Sequence, residues 1–130
     1  MMGGIQKFFI CRRCDNLVGM IKDGGVPMEC CTEDMDELVP NTVEASTEKH
    51  LPEVAVSGNG ISVKVGSVPH PMEEAHHTSF VYVATERGGQ LKCLKVGETP
   101  ALSFSFSDDK PVAVYAYCNL HGLWKTDIKA

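Results

Sequence analysis

Val54-Ala-Val-Ser-Gly-Asn-Gly-Ile-Ser-Val-Lys-Val65 decides how this chain folds. Val54 and Val56 alternate with small or polar neighbours, Ser57-Gly-Asn-Gly60 is a strong hairpin signal, and Ile61, Val63 and Val65 resume the alternation beyond it. Period-two spacing places alternate side chains on one face of a strand, so the segment reads as two antiparallel strands joined by a tight turn. The same pattern extends outward. Phe80 to Thr85 and Leu91 to Val96 flank Glu86-Arg-Gly-Gly89, which reads as a second hairpin. Leu102, Phe104 and Phe106 form a third run, turned by Ser107-Asp-Asp-Lys-Pro111, and Val112, Val114, Ala116 and Cys118 share one face of a last long strand. Short strands at regular spacing, with no apolar stripe of helical period and no internal repeat, predict a mainly β protein built on an antiparallel sandwich over residues 39–130.

Residues 1–38 have a different character. Phe8, Phe9 and Ile10 lead into Cys11-Arg-Arg-Cys14; Leu17, Val18, Met20 and Ile21 suggest a short strand; Asp23-Gly-Gly25 turns the chain toward Val26-Pro-Met-Glu-Cys-Cys31. So little apolar material cannot hold a core alone, and a metal is expected to supply much of the folding energy. Leu38 to Ala45, with Pro40-Asn41, reads as a connector.

The 130 residues allow one ordinary domain or two small ones, and the formal charge of −5 argues against a nucleic-acid partner, whose phosphates require a basic surface. Met1 to Ile10 lacks the apolar core of a secretory signal and no later run is long enough to span a bilayer, so a soluble cytoplasmic protein is expected. In a reducing compartment six cysteines are expected as ligands or buried thiols rather than disulfides.

Two groups of residues carry chemistry. Cys11, Cys14, Cys30 and Cys31 supply four thiolates, enough to enclose an iron or a zinc. A zinc ribbon is the plain reading. Vicinal cysteines are unusual there, because their sulfurs are expected to reach one metal only by distorting the tetrahedron, and iron is favoured. The second group is Cys118 and His121 with His50, His70 and either His76 or His77, which spacing alone does not separate. His50 precedes Pro52 at the expected start of a strand; His70-Pro-Met-Glu-Glu-Ala-His76 lies in a loop; Cys118-Asn-Leu-His121 ends the last strand. In a sandwich such strand ends lie side by side. A blue-copper carrier would need a weak axial methionine after the last histidine, and Gly122-Leu-Trp-Lys-Thr follows instead. Four imidazoles and a thiolate make a five-coordinate iron with one position open to a small molecule.

Glu48-Lys49 stands before His50. Such charges are usually a solvated pair, but beside a ligand Lys49 can attract a small anion and Glu48 can reach the iron after turnover. Cys93 is expected to be a buried thiol, Glu73 and Glu74 to be solvated, and Trp124, Tyr82, Tyr115 and Tyr117 to serve packing, with Tyr115 or Tyr117 as candidates to line the site. Met72, in the ligand loop, is a candidate shield.

Taken together, these motifs resemble the desulfoferrodoxin family of superoxide reductases along nearly the whole chain. Cys-x-x-Cys and Cys-Cys resemble its desulforedoxin-like module; Glu-Lys-His-x-Pro at Glu48 to Pro52, His-Pro-Met-x-x-x-His at His70 to His76, and Cys-Asn-x-His-Gly-Leu-Trp at Cys118 to Trp124 resemble its neelaredoxin-like catalytic domain. The resemblance selects His76 over His77. It implies an immunoglobulin-like sandwich, an Fe(Cys)4 centre I, and a centre II iron with His50, His70, His76 and His121 equatorial and Cys118 axial. It further implies reduction of superoxide to hydrogen peroxide, steering by Lys49, occupation of the ferric site by Glu48, rubredoxin or a similar electron donor, a homodimer and a cytoplasmic setting. A non-catalytic electron carrier and a zinc-binding structural module are the alternatives. The polar His77-Thr-Ser79 segment departs from the expected pattern.

Overall fold

The computed structural model describes residues 6–129. Residues 1–5 and 130, which hold the outer ends of the two expected domains and part of the opening stretch, lie outside the described residues. The chain divides into two compact units, Ile5–Val39 and Pro40–Ala130.

In the smaller unit β1 (Lys7–Ile10) pairs with β2 (Leu17–Met20), from Lys7↔Met20 to Ile10↔Leu17. The two-residue strands β3 (Glu29–Cys30) and β4 (Glu33–Asp34) form a hairpin, and β5 (Asp36–Glu37) returns to the free edge of β1. Ile21, expected in β2, falls outside it and is fully exposed. Asp23 holds the following turn by accepting the Gly25 N–H at 2.8 Å. Among the described residues, Phe8, Ile10, Cys11 and Leu38 are the buried apolar side chains of this unit. That is too small a core to carry 35 residues of chain entropy, as the sequence implies.

The larger unit opens with a single helical turn, α1 (Thr47–His50), followed by β6 (Pro52–Ser57), β7 (Gly60–Val65), β8 (Thr78–Thr85), β9 (Gly88–Cys93), β10 (Ala101–Ser105), β11 (Pro111–Cys118) and β12 (Gly122–Asp127). One sheet has the order β10-β7-β6 and the other β12-β11-β8-β9, with the pairings antiparallel. Ile61, Val63, Val65 and Phe104 from the first sheet meet Val81, Val83, Val114 and Ala116 from the second, with Leu94 and Phe106 closing the core. This is the immunoglobulin-like sandwich. Its central strand β11 is buried on both faces, since Ala113, Val114, Tyr115 and Ala116 are all inaccessible.

The hairpin at 54–65 forms as the sequence indicates, with Ser57 opposite Gly60 and Gly58 at φ +59°, the glycine-first arrangement that suits strand twist. Elsewhere the strand limits differ from expectation. The β8–β9 turn consists of Glu86 and Arg87, because Thr85 pairs with Gly88; both glycines lie in β9, where the Tyr82 ring occupies the space that a Gly89 side chain would need. β9 stops at Cys93, which is exposed rather than buried, while Leu94 turns inward. β11 is not the last strand: Gly122–Asp127 folds back on it as β12. His50 ends a helical turn instead of starting a strand. Across the open side of the sandwich, Gln90 Nε2 and Lys92 Nζ of β9 donate to the backbone carbonyls of Ser105 and Ser103 in β10 at 2.8 and 2.6 Å.

Candidate metal centres

The four cysteines of the small unit come from two turns. Cys11 and Cys14 bracket a knuckle between β1 and β2, closed by Cys11 N–H to Asn16 O and Asp15 N–H to Cys11 O, both 2.8 Å, with Asp15 at φ +65°. Cys30 ends β3 and Cys31 begins the β3–β4 turn, where Cys31 and Thr32 stand at φ +53° and +65°. Positive φ at both central residues defines the mirror-image turn normally filled by Asn-Gly, and it costs non-glycine residues about 1–2 kcal/mol each. The strain has a structural product, since it swings Cys31 around the corner. The Sγ atoms of Cys14 and Cys30 lie 3.5 Å apart, and those of Cys30 and Cys31 lie 3.9 Å apart. A tetrahedron with metal–sulfur bonds of about 2.3 Å has edges of about 3.8 Å. The vicinal pair therefore reaches a common centre without distorting it, contrary to the expectation drawn from the sequence.

The electrostatics of the bare thiols point the same way. The backbone N–H of Cys14 leads the effects that bring the Cys11 thiol down to about 7, whereas neighbouring sulfurs, Cys14 foremost, push Cys31 up to about 12. One thiolate forms readily, while hydrogen bonds among the neighbouring sulfurs, Cys14 foremost, hold Cys30 and Cys31 in their protonated forms. A cation removes that opposition, which is why thiolate sites load metal with release of protons.

The second group is a ring of imidazoles. Ring centroids of His50 and His70 are 4.6 Å apart, His70 and His76 4.8 Å, His76 and His121 5.1 Å, and His121 and His50 4.8 Å, with each adjacent pair nearly perpendicular. The diagonal from His50 to His76 is 6.2 Å. Imidazole nitrogens about 2.1 Å from one metal, with centroids about 1.1 Å further out, would give sides of about 4.5 Å and a diagonal of about 6.4 Å. The four rings thus stand at the corners of a square of the right size. The donor atoms of His50, His76, Cys118 and His121 all lie within 4.8 Å of one another, and His70 fills the remaining corner.

Each ring is aimed by the chain around it. His50 Nδ1 donates to Ser46 O at 2.6 Å and His70 Nδ1 donates to Pro71 O at 2.7 Å, leaving both Nε2 lone pairs facing inward. The buried Nε2 atoms of His70 and His76 have no hydrogen-bond partner among the described residues, an arrangement that a metal satisfies. His121 faces the group through Nδ1, which lies 3.1 Å from His50 Nε2 and 3.8 Å from Cys118 Sγ. Burial lowers the pKa of His50 and His76 and brings His70 to about 4, so these imidazoles are neutral ligands at neutral pH. Burial also raises the Cys118 thiol, against the backbone N–H groups of Leu120 and His121.

Cys118 and His121 share a three-residue hairpin between β11 and β12. Gly122, opposite Cys118 at φ +79°, provides the left-handed residue that such a loop needs. Asn119 ties this hairpin to the His76 loop: its Oδ1 accepts the His77 N–H at 2.8 Å, its Nδ2 donates to Ala75 O at 3.0 Å, and its own N–H donates to His77 O at 3.1 Å. The bonds bracket His76 on both sides. His77 is turned away, with Nδ1 directed at the carbonyls of Glu73 and Glu74, while His76 stands in the donor group. Trp124 stacks on His50 at 5.1 Å and donates to His121 O at 3.1 Å.

The sequence pattern points Trp124 to packing and gives Asn119 no role, although both stand inside the Cys118-to-Trp124 motif. Tyr115 and Tyr117 do not join the ring; they pair with Tyr82 and Phe80 on the sandwich. Met72 packs against the sandwich core. Glu48 and Lys49 are exposed on α1 and outside the donor group, though the Lys49 charge contributes to lowering His50 and His76. The α1 turn is fixed by Val68 N–H donating to Glu48 O at 2.9 Å, and Gly66 allows the two backbones to meet, since a side chain there would strike the Glu48 carbonyl.

A β-sandwich with one group of four cysteines and one square of imidazoles completed by a cysteine sulfur defines a two-centre metalloprotein suited to one-electron chemistry. The desulfoferrodoxin family model matches residues 42–127, and the chain belongs to that family. It is similar to the desulfoferrodoxin homolog of Methanothermobacter thermautotrophicus, 39% identical over 92% of this chain and 96% of that protein. It is also similar to the desulfoferrodoxin of Nitratidesulfovibrio vulgaris, 38% identical over 93% and 95%. Among solved structures, the superoxide reductase from Treponema pallidum superposes with a TM-score of 0.79 at 38% identity, covering 95% of this chain and 99% of that one. The two donor groups match the iron centres of this family.

Proposed function

We propose that the chain is a superoxide reductase, which converts superoxide, one electron and two protons into hydrogen peroxide at the His50, His70, His76, His121 and Cys118 site. The square of four imidazoles beside the Cys118 sulfur is the observation that carries this reading. Iron held there supplies reversible one-electron chemistry, with the thiolate adding electron density.

The protein's own residues do the rest. Ser46, Pro71 and Asn119 hold the rings in place, so little reorganisation accompanies the change of charge. Lys49 offers a local positive charge to an anionic substrate on a chain of net charge −5. Its exposed position on α1 suits capture rather than tight binding. Glu48, on the same turn, closes the site after turnover. Solvent at this exposed turn delivers the protons.

Residues 1–38 form the Fe(Cys)4 domain, with Cys11, Cys14, Cys30 and Cys31 as ligands, and residues 39–130 form the catalytic domain. Rubredoxin or a similar donor returns the electron, the chain works as a homodimer, and it acts in the cytoplasm. The six free cysteines support a reducing compartment, and no described helix is long and apolar enough to cross a membrane. Sedimentation at the mass of one chain would remove the dimer, failure of reduced rubredoxin to re-reduce the oxidised protein would remove that donor, and recovery of the protein outside the cytoplasmic fraction would remove the location.

The deciding assay consumes superoxide with iron-loaded protein and excess reductant. A reductase yields one peroxide per superoxide consumed and releases no oxygen. Half that yield with oxygen release identifies a dismutase, and no consumption leaves an electron carrier.

A further inference from the structure

The polar segment His77-Thr-Ser79, which the sequence leaves without a role, contains a β-bulge. Along the β8–β11 ladder the pairs run Tyr115↔Tyr82, Ala116↔Val81 and Tyr117↔Phe80, and then Cys118↔Thr78, so Ser79 is an extra residue on β8. Val81 and Val83 face the sandwich core, whereas Phe80 and Tyr82 take the opposite face. Simple alternation would place Thr78 with Phe80 and Tyr82. The inserted residue reverses it, so that Thr78 shares the face of its partner Cys118, which in turn follows Val114 and Ala116. Bulges beside functional sites commonly re-aim a side chain in this way.

Two further observations meet at Thr78. It is 1% exposed. Its hydroxyl has no hydrogen-bond partner among the described residues, an expense that buried hydroxyls rarely carry without compensation. Directly opposed residues hold their Cβ atoms about 4.5–5.5 Å apart, so a rotation about one bond brings the Thr78 hydroxyl toward the Cys118 sulfur. A neutral thiol is a weak acceptor, but an ionised sulfur is a strong one.

We propose that Thr78 donates a hydrogen bond to the Cys118 sulfur when that sulfur is a metal-bound thiolate, and thereby sets how much electron density the thiolate releases. The inference rests on Cys118 being the thiolate ligand of the second centre. Thr78 is a positioning residue in this scheme: it touches neither substrate nor metal. Backbone N–H groups of Leu120 and His121 approach the same sulfur from its own loop, and Thr78 adds a side-chain donor from the neighbouring strand. Withdrawing density from sulfur favours the reduced metal, which is the state that superoxide requires.

The test compares iron-loaded full-length wild type, Thr78→Val and Thr78→Ser by redox titration and by the visible thiolate-to-iron absorption of the oxidised second centre. Valine keeps the shape and removes the hydroxyl. It should favour the oxidised state on the order of tenfold, about 59 mV for a one-electron couple, and move the band to longer wavelength. Serine should restore both values, while the tetrathiolate centre stays unchanged as an internal reference. Valine matching wild type in potential and band, or serine shifting as far as valine, overturns the proposal. If valine prevents iron loading, Thr78→Ala against Thr78→Ser makes the same comparison. Absence of any thiolate-to-iron band in the wild type would instead remove the ligand assignment on which the proposal rests.

Discussion

Asn119 makes the strongest case for a residue that controls the second centre without belonging to it. Its side chain accepts from His77 N–H at 2.8 Å and donates to Ala75 O at 3.0 Å, one bond on either side of His76. Asn119→Ala removes both and retains the backbone bond to His77 O. A neutral hydrogen bond contributes about 0.5–1.5 kcal/mol net, so two in this exposed setting contribute about 1–2 kcal/mol to holding His76 in register. That energy corresponds to roughly a 5–30-fold change in equilibrium. Iron should leave the second centre faster by that factor when the protein is challenged with a chelator. The loss is followed by the thiolate-to-iron band, with the tetrathiolate absorption monitored in the same sample. Asn119→Asp, which keeps the acceptor and loses the donor, should fall between alanine and wild type. A release rate within twofold of wild type, or equal loss of iron from both centres, would refute the argument: the first means that the bonds carry no load, the second that the substitution merely unfolds the chain.

Four other outcomes follow from the geometry. Lys49→Ala should slow superoxide capture and flatten its dependence on ionic strength, since screening acts only where a charge steers; an unchanged second-order rate would remove its role. Cys118→Ser should abolish the thiolate-to-iron band and the reductase activity while the spectrum of the tetrathiolate centre persists. Gly66→Ala places a methyl group about 2.9 Å from the carbonyl carbon of Glu48, and should shift α1 with His50, lowering Tm and weakening iron retention, both measurable by thermal melting and chelator challenge. Trp124 is the sole tryptophan and stacks on His50, so its fluorescence should fall as the second centre takes up iron and recover on chelation.

What could be read from the sequence was what residue type and spacing carry by themselves. Cysteine and histidine are chemically unambiguous, so both donor groups are legible from Cys11 to His121 apart from the choice between His76 and His77, and Val54 to Val65 announces its hairpin through period and turn residues. The missing parts depend on neighbours remote in sequence. Gly88 and Gly89 resemble a turn, yet lie in a strand because the Tyr82 ring covers Gly89. Gly122–Asp127 is hard to see as β12 because its first residues, Gly122 to Trp124, also complete the ligand motif and show no period-two alternation. The ease with which Cys30 and Cys31 share a centre lies in two positive φ angles, which neither cysteine nor threonine advertises. His76 and His77 are equivalent in spacing; in the structure the His76 ring stands in the square while His77 faces the carbonyls of Glu73 and Glu74.

The contacts from Gln90 and Lys92 to the carbonyls of β10 have a consequence for life in a crowded cell. β9 and β10 are the outermost strands of their respective sheets, and an outermost strand with vacant acceptors recruits extended segments from other molecules. Here two of those acceptors are taken by side chains of the same chain, and the ammonium of one also covers Phe104. A stranger approaching that flank meets occupied oxygens and a positive charge. Two points on this border are thereby closed to strand addition without closing the sheets into a barrel.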